Sequence, residues 1–542
     1  MKSPIKYIIL ISLGIFLSSS CTKDFEEINT DSQSFTTANT GSLFNGIIQS
    51  LVPPGNVDMY INNEILFEQT QQAALTRKAW GNFTIGTEDM WTNYYIALGN
   101  IRELERRFSL IEESPELTNM QAMLIIVRAY KTFVLTDIFG DIPYFRAGYG
   151  FQDLDNLRPS YDTQRNIYIA LLEDLKWCDE NINLDAVEIE PFKTFKTFDP
   201  LFSGQMAEWQ KLANSLQLRY AMRMSEKEPE LAAQIISEII ENQRPVYLGY
   251  DFITYVGESA YMWPARMGFS NGGPDWAMRE HKNLRMGSNV WSQVSSHDST
   301  DGLGIFDPRA FIFFEGNNLN EWVPYPQLAE PNTPAPGGIP YASHRDNAAG
   351  FDTKGATCIY SPINYFINRD YNNMPIPIIT GAEIHFILAE AYLRGIGLAQ
   401  DPTLADIEYM NGINASVEWW ESISALSTLP LSSIAFVDKV TIPPHLSASS
   451  VLQVFGSWNA TTDEEKLKFI YTQRWLDAMM QPQEAYALAR RTGMTPREGD
   501  AINHFRLPYP PSEQEYNTEN WQKARDNQGG DEPSIKIWWV PN

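Results

Sequence analysis

The residues in this chain best suited to hold a ligand are aromatics set in loops. Trp80 (RKAWGNFT), Trp263 and Trp276 on either side of the Gly-rich stretch 268–273, Trp291 (GSNVWSQ), and Trp322 with Tyr325 (NEWVPYPQ) sit among Gly, Pro and Asn. Sugar rings present apolar C–H faces that stack on flat side chains, while their hydroxyls need amide, carboxylate, guanidinium or backbone partners. These six aromatics are therefore the candidate ligand-binding residues. The competing use of a loop aromatic is as a lid over a hydrophobic core. By contrast, Trp91, Tyr94, Tyr95, Trp209 and Trp475 lie on stripes of helical spacing and are expected inside the protein.

Catalytic patterns are few. There is no HExxH, no phosphate-binding P-loop, no GxGxxG after a strand and no Cys–His cluster with metal-ligand spacing. The six histidines are scattered, none paired at i,i+4. Gly268-Phe269-Ser270-Asn271-Gly272 matches GxSxG, but that motif needs a strand before the serine and a helix after it, whereas Trp263-Pro264 precedes and Gly273-Pro274 follows. Paired carboxylates can hydrolyse glycans; with 67 acidic residues the sequence selects no pair. Asp153 and Asp155 could meet a calcium ion, yet the stretch lacks a regular ladder of oxygen ligands. No catalytic residue, no metal site and no cofactor are expected.

The elements that must position the loops are helical. Trp91, Tyr94, Leu98, Ile101 and Leu104 recur three or four apart, and Met120, Met123, Leu124, Val127 and Val134 do the same after the polar link EESPELTN. Each stripe needs a partner, so the two form an antiparallel pair. The second helix is expected to stop before DIFGDIPYF, where Gly140 and Pro143 break the pattern. Further stripes cover 164–181, 205–225, 229–242, 380–395, 401–420, 462–479 and 482–491. The fold class is mostly α, a tetratricopeptide-like scaffold of about four helix pairs, with repeats mainly in 58–242 and 380–420. Residues 245–378 and 421–460 are rich in Gly, Pro and aromatics and are expected as loops on the ligand-facing half, with AFIFF as a short strand.

The N-terminal residues read as an export signal. Lys2 and Lys6 precede the apolar run Tyr7 to Phe16 and then Ser18, Ser19, Ser20 and Cys21. That layout predicts a signal peptide over 1–20, with Cys21 as the acylated first residue of a lipoprotein. Residues 21–40 are polar and read as a tether, and 41–542 as one domain. No segment after the signal reaches about 18 consecutive apolar residues, so lipid would hold the chain at a membrane. The remaining cysteines, Cys178 and Cys358, cannot build a disulfide framework, and whether they pair is open. A formal net charge of −26 makes nucleic acid an unsuitable partner, because that binding depends on Lys and Arg neutralising phosphates.

Segments spread over nearly the whole chain resemble, in order, the SusD/RagB family of outer-membrane nutrient-binding lipoproteins from Bacteroidota. They are TKDFEEINTD after Cys21, DIFGDIPY (137–144), KLANSLQLRYAMR (211–223), Asp307-Pro308-Arg309, TGAEIHFILAEAYLRG (380–395), YMNGINAS (409–416), IYTQRWL (470–476), Glu484-Ala485-Tyr486 with Arg490-Arg491-Thr492-Gly493, and RLPYP (506–510) with Glu513 and Asn517. The resemblance implies a non-catalytic binder of a glycan or oligosaccharide at the cell surface, acting as a lid on a TonB-dependent outer-membrane transporter of the SusC type. Peptides or other nutrients fit the same scaffold. It transfers no ligand residue, because the family's pocket varies.

Overall fold

The computed structural model describes residues 39–76, 83–150, 152–248, 259–269, 284–317, 319–345, 359–364, 374–426, 442–456, 458 and 462–541. The signal, Cys21, most of the tether, Trp80, Trp276, Ser270 and Cys358 lie outside these residues.

Helices dominate, and their ends follow the capping residues. After α1 (Thr40–Gln49) and a π-helix (Val57–Leu66) come α2 (Phe83–Phe108) and α3 (Pro115–Phe139). The Ser114 hydroxyl accepts from the Leu117 N–H at 3.2 Å and Pro115 occupies the first turn, both good helix starters. α3 runs through Asp137 to Phe139, past the expected stop, because Gly140 at φ 83° supplies the left-handed exit. Next are α4 (Gln164–Asn181), α5 (Met206–Met224) and α6 (Pro229–Glu241).

The second series begins with α7 (Gly381–Arg394), capped by Thr380 and ended by Gly395, and α8 (Pro402–Ala425), capped by Asp401. A reciprocal capping box of Thr462 and Glu465 opens α9 (Asp463–Asp477), followed by α10 (Pro482–Thr492) and α11 (Thr518–Gln528). Consecutive helices pack as neighbours, α2 on α3, α3 on α4, α4 on α5, α5 on α6 and α7 on α8, the tetratricopeptide-like arrangement expected from the paired stripes.

Among the described residues two small antiparallel ribbons form: β1 (Ala74–Leu75) with β3 (Leu284–Arg285), and β2 (Ala260–Met262) with β4 (Ile376–Ile379). The AFIFF run is not a strand. Arg309–Phe313 form a short helix, since Asp307 Oδ1 accepts from the Arg309 N–H at 2.9 Å and Pro308 sets the first turn. All five residues are buried, so no in–out alternation exists to favour a strand. Within 421–460, α8 extends to Ala425 and Ala448–Phe455 form a further helix, where only loop was expected.

The described residues form two large apolar clusters, and α7 is the wall they share. Ile384, Ile387, Leu388 and Ala391 face the cluster built from α1 to α6. Ala382, Phe386, Ala389 and Leu393 face the cluster built on α8, α9 and the loop aromatics. Trp91, Tyr94, Trp209 and Trp475 are buried as their spacing predicts, and Tyr95 packs partly buried beside them. Among the described residues no helix is long and apolar enough to cross a membrane.

The segments that carry the family resemblance meet in a buried ionic lattice. Asp137 is engaged by Arg223 and Tyr168 and by Trp539 Nε1 at 2.8 Å, while Arg490 donates to its carbonyl at 2.7 Å. Arg223 and Arg219 also reach Glu484. Arg309 pairs with Asp307 at 2.7 Å and donates to Gln473 Oε1 and Ser416 Oγ, all inside the protein. These residues act as fasteners between distant helices.

Candidate ligand-binding site

Of the six candidate aromatics, the structure describes four, Trp263, Trp291, Trp322 and Tyr325, and does not gather them at one site. Trp291 and Trp322 stack on each other, with ring centroids 6.3 Å apart and planes 15° from parallel, inside the second cluster. Trp322 also meets Phe311 edge-on at 5.0 Å, and Trp291 Nε1 donates to Asp298 at 3.1 Å. Tyr325 is 1% exposed, between the rings of Tyr341 and Tyr360. These three side chains have their faces covered by protein. Trp263 is half-buried, with its ring edge-on to Tyr261 at 4.9 Å, and keeps accessible surface.

An open cavity of about 470 Å³ is within the size range of small-ligand sites. Its wall is made where three stretches converge: the turn from Glu68 to Leu75, the loop from Gln327 to Pro331, and the segment from Arg497 to His504. Spacing could not have found it, because the three stretches are hundreds of residues apart and none has a periodic pattern.

Side-chain amides knit this wall together. Gln71 holds a left-handed backbone at φ 56°, a conformation that costs free energy for a residue with a side chain. Its amide grips Glu498 twice, donating to the carbonyl at 3.0 Å and accepting from the N–H at 2.8 Å. Gln72 donates to the Trp475 carbonyl at 2.8 Å, and Trp475 Nε1 returns a bond to the Thr70 carbonyl at 3.0 Å, so α9 anchors the turn. Arg497 donates to the Gln69 carbonyl at 2.7 Å, and Gln327 to the Ala73 carbonyl at 3.1 Å.

The wall is polar and offers both hydrogen-bonding senses. The side-chain oxygens of Gln69 and Gln327 are buried and accept no hydrogen bond among the described residues. Burial pulls Arg497 below its usual value, against the pull of Asp500 and Glu68, and it stays cationic. Burial and then the Arg497 charge pull His504 below its ordinary value, so its imidazole is neutral at pH 7. Such a set of amides, one cation, one neutral imidazole and the Glu68 and Glu330 carboxylates suits a hydroxyl-rich, uncharged ligand. Asp153, weighed above for calcium, instead uses its carboxylate to accept from the Asp155 N–H at 3.0 Å. Among the described residues no three His, Cys, Asp or Glu side chains gather as a metal site.

Residues 32–509 match the family model SusD-like, described as starch-binding and associating with the outer membrane. Curated proteins provide no match. Solved structures share the fold. A chitin-binding protein is 22% identical, with a TM-score of 0.68 over 93% of this chain and 100% of its own. A SusD homologue from Parabacteroides distasonis is 20% identical, with a TM-score of 0.68 over 93% and 98%. Another from Bacteroides fragilis is 19% identical, with a TM-score of 0.65 over 93% and 100%. With the family model spanning most of its length and the paired-helix scaffold in place, the chain belongs to the SusD-like family of starch- and nutrient-binding outer-membrane proteins.

Proposed function

We propose that this protein is a surface lipoprotein, anchored through Cys21, that captures a glycan or oligosaccharide and delivers it unaltered to a TonB-dependent transporter of the SusC type. The observation that carries the ligand class is the polar cavity lined by Gln69, Gln71, Gln327, Asn503 and Arg497, whose amides and guanidinium can meet ligand hydroxyls. The family's starch-binding description and the chitin-binding neighbour support a sugar over a peptide. Residues 77–82, which include Trp80, follow directly in sequence on the strand that ends at Leu75 in the cavity wall. Trp80 and the half-buried Trp263 are the aromatics best kept as stacking partners, and Trp276 stays with them as a proposal. Trp291, Trp322 and Tyr325 are buried among other rings and do not line this cavity.

The test is calorimetry of the mature protein against malto-oligosaccharides, chito-oligosaccharides and peptides, with chromatography of the recovered ligand. Retention of a sugar at full length, weakened about tenfold or more by Asn503→Ala or Trp80→Ala, is the expected result. Shortened products would replace the reading with a hydrolase, and peptide binding alone would replace the ligand class. Pulldown from outer membranes should recover a barrel-type transporter; its absence would remove the delivery role.

A further inference from the structure

A second cleft of about 100 Å³, apart from the larger polar cavity, opens between the π-helix, α2, α3 and the start of α10. Most of its lining is apolar: Leu51, Val57, Val134, Leu135, Met262 and Ile376. One edge differs. There Lys131, only 8% exposed, donates to the Ser50 carbonyl and to Asn93 Oδ1, each at 2.5 Å, and all three residues line the cleft.

An ammonium carries three donors and no acceptor, so one N–H remains beyond these two bonds. No carboxylate among the described residues acts on Lys131; burial alone shifts it, downward to about 7. The one acid in the lining, Glu484, is already held by Arg223 and Arg219. A buried cation without a counter-charge is costly to keep, whereas one that receives an anion from outside is a recognition element. The neighbouring wall is also irregular. Val57 and Asn62 line the cleft from a ten-residue π-helix, a rare conformation that is frequent at functional sites.

We infer that this cleft binds a small monocarboxylate with a short apolar chain, its carboxylate on the Lys131 ammonium and its chain against Leu51, Val57 and Val134. Charge selects the head group and the apolar wall selects the tail. The occupant is a free acid and not a sugar, so this site is independent of the polar cavity.

Calorimetry of the mature protein at pH 6.5 with hexanoate, hexanol and hexylammonium tests this. Hexanoate should bind at one per chain, hexanol about tenfold or more weaker, and hexylammonium not at all. Lys131→Met should weaken hexanoate about tenfold while leaving hexanol unchanged, with thermal unfolding confirming that the variant is folded. No hexanoate binding, hexanol binding as tightly as hexanoate, or undiminished hexanoate binding by folded Lys131→Met would each overturn the assignment. If that variant does not fold, the ranking of the three probes on the unaltered protein decides.

Discussion

Arg219 Nε donates to Glu383 Oε1 at 2.9 Å across 164 residues of sequence, and Arg474 reaches the same oxygen at 2.6 Å. Three helices, α5, α7 and α9, thus converge on one carboxylate. Replacing it leaves the buried Arg474 guanidinium without a counter-charge and Arg219 with Glu484 alone, which costs about 3–5 kcal/mol. Glu383→Gln should lower the unfolding free energy by that order in a denaturant titration, whereas an exposed pair such as Lys468 with Glu464 should contribute little when removed.

Acid should loosen the same region. Burial would raise Glu390, but Arg491 and Arg394 override it and hold the carboxyl at about 2 against 4.5. Between those values the unfolded chain binds the proton and the folded chain does not. The stabilisation is therefore complete above about 4.5 and is lost as pH falls toward 2, on the order of 3 kcal/mol for this group. Thermal melts between pH 5 and 2.5 should show a steep fall, less steep in Glu390→Gln, which begins from a lower value at pH 5.

Asp58 has the opposite sign. Burial raises its carboxyl to about 6, with the Asn62 hydrogen bond opposing. Here the folded chain holds the proton longer, so a penalty exists above about 6 and is relieved as pH falls toward 4. Asp58→Asn should raise the melting temperature at pH 7, by on the order of 1–2 kcal/mol of stability, and make no difference near pH 4.

The stacked pair Trp291 and Trp322 should behave as core. Either change to Ala should cost about 3–5 kcal/mol of stability with little change in sugar affinity of the protein that remains folded. Trp263→Ala should cost less stability. Melting curves and calorimetry run on the same samples separate the two outcomes.

Close packing of α7 on α8 depends on Gly412. A Cβ there would lie 2.5 Å from the ring of Phe386, itself fully buried. Gly412→Ala should destabilise by about 1–3 kcal/mol through overpacking, read by chemical denaturation.

The scaffold was legible because helix stripes are local. Trp91, Tyr94 and Leu98 repeat within one turn of each other, and their burial follows from that spacing alone. The loop half was not legible in the same way. Trp291 and Trp322 stand 31 positions apart without a common period, and only the fold brings their rings together. AFIFF misled because a run of apolar residues fits a strand or a buried helix equally, and the start at Asp307 and Pro308 decides. The resemblance located Arg219, Glu383 and Arg490 without revealing that they hold helices together, since a pairing across the chain has no local signature. The amide cavity went unseen for the same reason: Gln71 and Glu498 are linked only in three dimensions.

The bond from Trp539 to Asp137 joins positions 402 apart. A nascent polypeptide leaves the ribosome N-terminal end first, so α3 is complete long before the indole that covers its buried acid exists. Throughout that interval the Asp137 carboxylate lacks one of its partners, and the first apolar cluster lacks Ile537, Trp539 and Val540. The early helices gain these last contacts only once residues 537–540 have been made. A product cut short before this segment carries an unfinished interior, which makes it a ready substrate for proteolytic clearance.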